Sequence, residues 1–483
     1  MNMLSKLSPK GLLHLVVLVV AIGGLLLGFD TGVISGAIPF FQKEFLIDDR
    51  VVEFVASIGL FGAMFGAICG GRLADRIGRK KILLLSAIIF IVGALGSGYS
   101  PSIYHLIIAR LFLGIAIGLS SFTVPLYIAE IAPSRSRGKL VSLFQVMMSL
   151  GILLSYISDA YFANDIDMTC WRPMFYVGVI PAFVLFVGML CMPETPRWLM
   201  SKGHKEEALI LLNKLGGDIC FDDFLSLERK DNVKIQADWK VLLQPWLRTP
   251  LIICIGIMFF QQFVGINTVI YYSPKIFIMA GFGGLVSAVW VSVFIGVVNV
   301  ICALVATFLV DRLGRRKLYF VGLFGILFSL ILLSCCFIYM NQLGCIGKWL
   351  ALVSLLLYVS FFALSLGPLA WLIVSEIFPQ NLRGLGSSIG SFSVWLFNAI
   401  VSFTFFKIVD CLSIEGIELS IDGSVIANPA GAFLFYTGIT LLAMIWGYFY
   451  IPETKGLSLE AIEYFWKFEN NPRKMNDFKL LKQ

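Results

Sequence analysis

The stretch FFQQFVGINTVIYYSP, residues 259–274, decides how the rest of the chain is interpreted. It lies in an apolar run that is long enough to cross a membrane as a helix. Within that run two adjacent amides, Gln261 and Gln262, are followed by Asn267 and Tyr271. Such groups are costly in lipid, so they must face a polar cavity, a bound ligand or another helix.

The spacing of these side chains favours a ligand. Six residues separate Gln261 from Asn267 and four separate Asn267 from Tyr271, so all of these groups share one broad face of a continuous helix. Amides and a phenol offer donors and acceptors without charge, which suits a neutral ligand rich in hydroxyl groups. The alternative is that they hold helices together, as Asn and Gln often do in membranes.

The composition is that of a membrane protein. Of the 483 residues 58% are hydrophobic and 14% are charged, and the mean hydropathy is +0.89. A soluble chain carries about a quarter charged residues. The first apolar run, from Gly11 onward, has no small-residue cleavage site, so we interpret it as a span and not as a leader. The ten cysteines form no metal-like C-x-x-C cluster, and no metal or other cofactor is expected.

Apolar runs recur along the whole chain and predict an all-α polytopic protein with about twelve transmembrane helices. The predicted spans are 12–39, 52–71, 81–99, 102–128, 140–161, 172–192, 251–279, 285–310, 317–340, 349–374, 385–409 and 431–451.

The charges between the spans predict the orientation. The links after spans 2, 4 and 8 are basic, whereas the link after span 11 has four acidic residues and no Lys or Arg. The link after span 5 is predicted to carry Asp159, Asp165 and Asp167. By the positive-inside rule both termini are cytoplasmic. The net charge of +7 comes from these links, so no nucleic-acid partner is expected.

Three motifs occur twice in the same order. E-I-x-P followed by R-G begins at Glu130 and again at Glu376, D-R-x-G-R at Asp75 and at Asp311, and P-E-T at 193 and 452. This repetition predicts two homologous six-helix halves. The predicted divisions are a bundle at 1–195, a cytoplasmic helical linker at 196–250, a second bundle at 251–457 and a cytoplasmic tail at 458–483.

With these motifs the chain resembles the sugar porters of the major facilitator superfamily over essentially its whole length. The matching stretches are GGRLADRIGRKK, PETPRWL, QQFVGINTVIYYSP, VDRLGRRKL, GPLAWLIVSEIFPQNLRG and PETKG. The resemblance implies two six-helix bundles, a cytoplasmic helical domain between them, and alternating access around a central monosaccharide site.

The resemblance also implies which residues contact the sugar. Amides would bind hydroxyl groups, and Trp would cover the apolar face of the ring. Two positions depart from the pattern of proton-coupled members. Leu27 stands where an aromatic residue often occurs, and Val394 stands where an amide can occur, so each change removes a contact to the sugar. The implied sugar contacts are Gln145, Gln261, Gln262, Asn267, Tyr271, Asn299, Gly367, Trp371, Trp395 and Asn398. The sequence also predicts that Gly367-Pro368 breaks span 10.

Two opposite charges lie inside predicted spans, Asp30 in span 1 and Arg110 in span 4. A charged side chain at this depth in a membrane is expected to have a function. Counting from the helix ends places the two at similar depth, so Arg110 would keep Asp30 ionised and its withdrawal would favour proton uptake. In the resembling family, proton symporters have Asp at this position. The alternative is a static buried ion pair.

The repeated charged motifs are expected to form a gate. Salt bridges among them and to the linker would hold the cytoplasmic side shut when the outer side is open. The predicted gate residues are Asp75, Arg79, Glu130, Arg137, Asp311, Arg315, Glu376 and Arg383.

These features predict proton-coupled symport of a monosaccharide, a hexose or a pentose, across a bacterial inner (cytoplasmic) membrane by a functional monomer. Three alternatives stay open: a facilitative uniporter, a carrier of polyols such as inositol, and a transporter-like sugar receptor, which the tail of about thirty residues disfavours. An enzyme is not expected, because no nucleotide-binding loop is present and none of the three His lies near a plausible nucleophile.

Overall fold

The structure is a computed structural model that describes most of the chain. The described residues are 8–133, 137–216, 244–379, 382–413, 419–421, 424–426, 428–457, 459–469 and 471–475. The greater part of the predicted linker, 217–243, and the end of the predicted tail, 476–483, lie outside these residues.

Twelve helical segments of the described chain are long and apolar enough to span a membrane. The predicted all-α membrane fold is therefore confirmed. The helices are α1 Pro9–Phe45, α2 Asp49–Ile77, α3 Arg79–Tyr99, α4 Ile103–Ile131, α5 Arg137–Phe162, α6 Trp171–Val177, α7 Val179–Cys191, α8 Pro196–Ser201, α9 Lys205–Gly216, α10 Pro245–Phe263, α11 Ile266–Met279, α12 Leu285–Leu313, α13 Arg315–Ile338, α14 Met340–Leu343, α15 Cys345–Leu364, α16 Leu366–Ile377, α17 Arg383–Cys411, α18 Ala430–Tyr450 and α19 Leu459–Phe468.

Three spans are each built from two helices. Span 6 comprises α6 and α7, span 7 comprises α10 and α11, and span 10 comprises α15 and α16. The break in span 10 falls at Ser365, so the prediction of a break at Gly367-Pro368 is displaced by two residues. Pro368 lies in the first turn of α16, where a missing N–H costs no helical hydrogen bond.

Capping side chains fix the ends of the first two spans. Ser8 accepts a hydrogen bond from the Gly11 N–H, and Pro9 occupies the first position of α1. Asp48 accepts from the Val51 N–H at the start of α2. Span 1 therefore runs past both ends of its predicted core, 12–39, and begins in a capped turn.

The two halves repeat the same joint between helices. The Glu194 carboxylate accepts from the N–H groups of Arg79 and Lys80 at the start of α3. The Glu453 carboxylate does the same for Arg315 and Arg316 at the start of α13. A carboxylate at a helix N-terminus is stabilised by the free N–H groups and the helix dipole. The P-E-T repeat in the sequence thus corresponds to a repeated structural element.

Asp159 is not in a link, which corrects the sequence prediction. Helix α5 extends to Phe162, and Asp159 lies one turn before its end with no exposed surface. The link after span 11 also differs from an all-α chain, because it contains a short antiparallel hairpin, β1 (Leu419–Ile421) and β2 (Ser424–Ile426), with Ser420 opposite Val425.

Candidate functional site

A central cavity of about 100 Å³ lies between the two halves. All ten residues predicted to contact the sugar line it, so the structure brings them together at one place. The lining residues are Leu27, Thr31, Ser121, Phe144, Gln145, Met148, Ile152, Gln261, Gln262, Ile266, Asn267, Ile270, Tyr271, Asn299, Ala303, Phe362, Ala363, Gly367, Trp371, Val394, Trp395 and Asn398.

A relay of amides connects the two broken spans at the cavity wall. The Asn267 side chain donates to Gln262 (2.5 Å), and the Gln262 side chain donates to Gln261 (3.1 Å). Gln261 in turn donates to the backbone carbonyls of Leu366 and Gly367, each at 3.1 Å. These carbonyls belong to the first turn of α16, so Gln261 holds spans 7 and 10 together and orients Gln262 toward the cavity.

The amides come together because span 7 is broken, not because one helical face carries them. Gly265 separates α10 from α11 with a φ of +92°. Side chains bind the carbonyls at the break: the Tyr358 hydroxyl donates to Val264 O (2.8 Å), and the Thr268 hydroxyl donates to Gly265 O (2.7 Å), which also accepts from the Val269 N–H. The prediction of a continuous helix here is wrong, although the four side chains it selected do meet.

Gly265→Ala is expected to disrupt this site. An alanine at a φ of +92° is strained by about 1–3 kcal/mol, and its Cβ would lie 2.7 Å from the Tyr436 ring. We expect a lower melting temperature and loss of ligand binding, measured by thermal unfolding with and without ligand. Gly203→Ala is the matched control, because Gly203 has a φ of +86° but no neighbouring atom within 4 Å. Equal effects of the two changes would contradict the prediction.

Aromatic side chains and hydroxyl groups complete the wall. The Trp395 indole N–H donates to the Ser121 hydroxyl (3.3 Å), a contact between α17 and α4 of opposite halves. The Asn398 amide donates to the Tyr271 hydroxyl (3.3 Å). Sequence reasoning missed Ser121 and Thr31. Their signal was weak, because a single hydroxyl in an apolar span can bond to its own helix, as Thr31 does to Leu27 O (2.8 Å).

Asp30 and Arg110 form a buried ion pair beside the cavity. The Arg110 guanidinium donates to the Asp30 carboxylate, and the two residues are 3% and 5% exposed. The similar depth predicted from the helix ends is therefore observed. Neither residue lines the cavity, but Thr31, the next residue in α1, does. The structure places a carboxylate one residue from the space where a ligand would lie.

On the side where the termini lie, the described charged motifs pair within each half. Arg79 contacts Asp75 (2.9 Å) and Glu130 (3.1 Å), and Arg315 contacts Glu376 (2.8 Å). The linker joins the first of these groups, because the Trp198 indole donates to the Asp75 backbone carbonyl (3.2 Å). The side chains of Arg137, Asp311 and Arg383, three of the predicted gate residues, lie outside the described part of the structure.

On the opposite side, polar contacts join the two halves. Lys275 of α11 pairs with Asp49 of α2 across the halves, and Gln42 of the amino-terminal half also donates to Asp49 (2.8 Å). The buried Glu53 carboxylate of α2 accepts from the backbone N–H of Phe406 in α17 (2.6 Å). Sequence reasoning missed these contacts, although a charge at 53 and at 275 inside apolar runs was a usable signal.

Comparisons with known proteins agree with this architecture. Residues 16–466 match the family described as Sugar (and other) transporter. The chain is 39% identical to a D-xylose transporter of Levilactobacillus brevis over 451 residues, which are 92% of this chain and 93% of that protein. It is 38% identical to the glucose transporter GlcP of Staphylococcus epidermidis over 452 residues, 93% of this chain and 96% of that protein.

A solved structure is similar over the same extent. The proton:xylose symporter XylE of the major facilitator superfamily, bound to 6-bromo-6-deoxy-D-glucose, superposes with a TM-score of 0.78 at 30% identity. The match covers 94% of this chain and 99% of that chain. The fold is that of the major facilitator superfamily, with twelve spans in two six-helix bundles. The chain is thus a multi-pass membrane protein that belongs to the sugar transporter family, a family of transporters and not of enzymes.

Proposed function

We propose that this protein carries a monosaccharide, a hexose or a pentose, together with a proton across the cytoplasmic membrane by alternating access. The observation that supports this proposal most is that a polar cavity and a buried ion pair lie side by side. A cavity lined by uncharged amides, a phenol and two Trp residues lies next to the buried Asp30–Arg110 pair. Relatives named as glucose and xylose transporters, and a similar structure named as a proton:xylose symporter, support the same class of cargo.

The amide relay suits the recognition of a sugar. Gln262 and Asn267 keep further donors and acceptors on the cavity side, while Gln261 fixes the Gln262 amide and Gln262 in turn fixes the Asn267 amide. A sugar hydroxyl is both donor and acceptor, so fixed amides can replace its hydration shell at little cost in side-chain entropy. Trp371 and Trp395 offer flat apolar surface to the C–H face of a sugar ring.

The buried pair suits proton coupling. Asp30 is stable as a carboxylate in this apolar setting only while Arg110 stays bound to it. A shift of α1 relative to α4 that parts the two charges leaves an unpaired carboxylate, which then takes up a proton. Since Thr31 lines the cavity, sugar binding next to Asp30 and proton uptake by Asp30 favour the same arrangement of α1.

Alternating access requires two gates. In this structure the contacts of Lys275, Asp49 and Glu53 join the halves on the side opposite the termini. We place the termini in the cytoplasm, because the basic links lie on their side. The charged motifs on that side would form pairs across the halves in the state that is open outward. One chain supplies every residue of the cavity, so we propose that the monomer is functional.

Transport by the purified protein in proteoliposomes tests this proposal. A panel of hexoses, pentoses and polyols is offered with and without a pH gradient, and external pH is recorded. We expect a monosaccharide to be accumulated when the gradient is present and to cause alkalinisation outside. Transport without alkalinisation would establish a uniporter, preference for inositol would establish a polyol carrier, and binding without transport would establish a receptor.

A further inference from the structure

A second buried carboxylate lies in α5 and has no assigned role. Asp159 is fully buried, and its carboxyl oxygens have no side-chain hydrogen-bond partner among the described residues. It packs directly against Gly36 of α1, where a side-chain carbon in place of the glycine hydrogen would collide with it. Gly36 follows Asp30 by six residues, about 9 Å along the helix, so Asp159 is a separate site nearer the side opposite the termini.

The neighbours of Asp159 bind the other half. One turn earlier on α5, the Tyr156 hydroxyl donates to Ile270 O of α11 (2.8 Å). Next to Gly36, the Ser35 hydroxyl lies 3.2 Å from that of Ser273 of α11. Ser273 donates to Ser292 of α12 (3.0 Å), which uses its only hydroxyl hydrogen, so Ser35 is the donor in the first bond. Helix α11 thus contacts the neighbours of Asp159 on both α1 and α5.

No charge compensates Asp159 in this position. Its own helix presents the phenol of Tyr156, α1 presents Ser35 and the Gly36 backbone, α11 presents Ser273, and α12 presents Ser292. The charged residues of α1 and α11 are bound elsewhere, where the structure describes their pairs: Asp30 to Arg110, Glu44 to Arg172 and Lys275 to Asp49. An ionised carboxylate without a charge partner in such a site costs several kcal/mol, and the neutral carboxylic acid costs less.

We propose that Asp159 is a second proton-binding carboxyl, which must be protonated before the two halves can close on the side opposite the termini. The inference rests on the proposed function, because it assumes that the halves separate on this side during transport. When α11 moves away, water reaches Asp159 and accepts its proton. Closure reverses this step: a proton from the water returns to the carboxylate, and α11 then covers a neutral group.

This proton is distinct from the one that drives transport. In this structure, where the halves are joined on the side opposite the termini, Asp159 is fully buried, so it is not exposed to the terminus side while that side is open. Its proton therefore returns to the side from which it came and does not add to the number of protons carried per sugar. Asp159 makes closure sensitive to pH, whereas Asp30 makes transport dependent on the gradient.

Equilibrium exchange of labelled sugar, with equal pH on both sides, isolates this step. In the Asp30→Asn background the driving proton is absent, so the remaining pH dependence reports closure. We expect exchange by Asp30→Asn to fall as pH rises, by up to tenfold per pH unit, because closure takes up one proton. The double variant Asp30→Asn/Asp159→Asn should show a smaller decline, because an asparagine is neutral at every pH, whereas Glu53 and the Asp49–Lys275 pair on the same side contribute equally in both variants.

Two results would overturn the inference. The first is that the pH profiles of the single and the double variant superimpose; Asp159→Ser, which is smaller and also neutral, replaces asparagine if the first variant does not fold. The second is that Asp159→Asn alone lowers the measured proton-to-sugar ratio, which would make its proton a transported one. Failure of the proposed function looks different, because Asp30→Asn would then still accumulate sugar under a pH gradient.

Discussion

Asp30→Asn is expected to abolish accumulation of sugar under a proton gradient while sugar exchange continues. For one proton per sugar, a gradient of about two pH units can support a concentration ratio of about 100-fold, since each unit is worth about 1.4 kcal/mol. The variant should reach no ratio above that of passive equilibration.

The physical reason lies in the Asp30–Arg110 pair. Asparagine keeps the size of the side chain and can still accept a hydrogen bond from Arg110, but it cannot bind and release a proton. The cavity is unaffected, because Asp30 does not line it. Coupling should therefore be lost without loss of the sugar site.

The measurement is uptake into proteoliposomes with an imposed pH gradient, compared with exchange at equal pH. Asp410→Asn is the matched control, because it makes the same chemical change at an exposed position at the end of α17, where no effect is expected. Loss of sugar binding in Asp30→Asn would instead move Asp30 into the sugar site. Retained accumulation would remove it from the coupling mechanism.

Gln262→Ala is expected to weaken sugar binding by about 2–4 kcal/mol, or roughly 30- to 700-fold in Kd. The substitution removes a predicted sugar contact from the cavity wall. It also leaves the Asn267 amide without its acceptor and the Gln261 carbonyl oxygen without its donor. Buried polar groups without partners are the costly part of such a change, so the effect exceeds that of one lost hydrogen bond.

Isothermal titration with the transported sugar measures the change in Kd. Gln342→Ala serves as the control, because Gln342 is an exposed amide in α14, away from the cavity. A Kd within threefold of the unmodified protein would show that Gln262 supports the relay without contacting the sugar. The same titration with Gln261→Ala then shows how much of the binding free energy depends on the hydrogen bonds that hold span 10, as opposed to direct contact with the sugar.

The sequence was informative about which residues meet, and less so about the backbone that brings them together. Polarity at membrane depth selected Gln261, Gln262, Asn267 and Tyr271, because lipid penalises any such group that lacks a partner. The continuous helix assumed for them was wrong, because one glycine, Gly265, is not enough to predict that a helix ends. The break in span 10 was predicted two residues late, because Pro368 marks the turn that follows it.

Charges near span ends were the hardest to place. Asp159 lies one turn from the end of α5, and a difference of a few residues in that end decides between an aqueous link and a buried seam. Glu53 lies close to the start of α2, where the same ambiguity applies, and only the three-dimensional position of Phe406 gives it a partner. Hydropathy along one chain carries no information about which distant helix covers a position.

The two halves contribute unequally to the cavity wall. Fifteen of its twenty-two residues come from the carboxy-terminal half, whereas the Asp30–Arg110 pair and Asp159 belong to the amino-terminal half. Under the proposed function, most residues that recognise the sugar and the residues that couple it to protons would therefore be encoded in different parts of one gene. Mutations in the second part can then change which sugar is carried while the proton-coupling residues in the first part stay the same. Recombination between related genes can also join the two parts in new combinations.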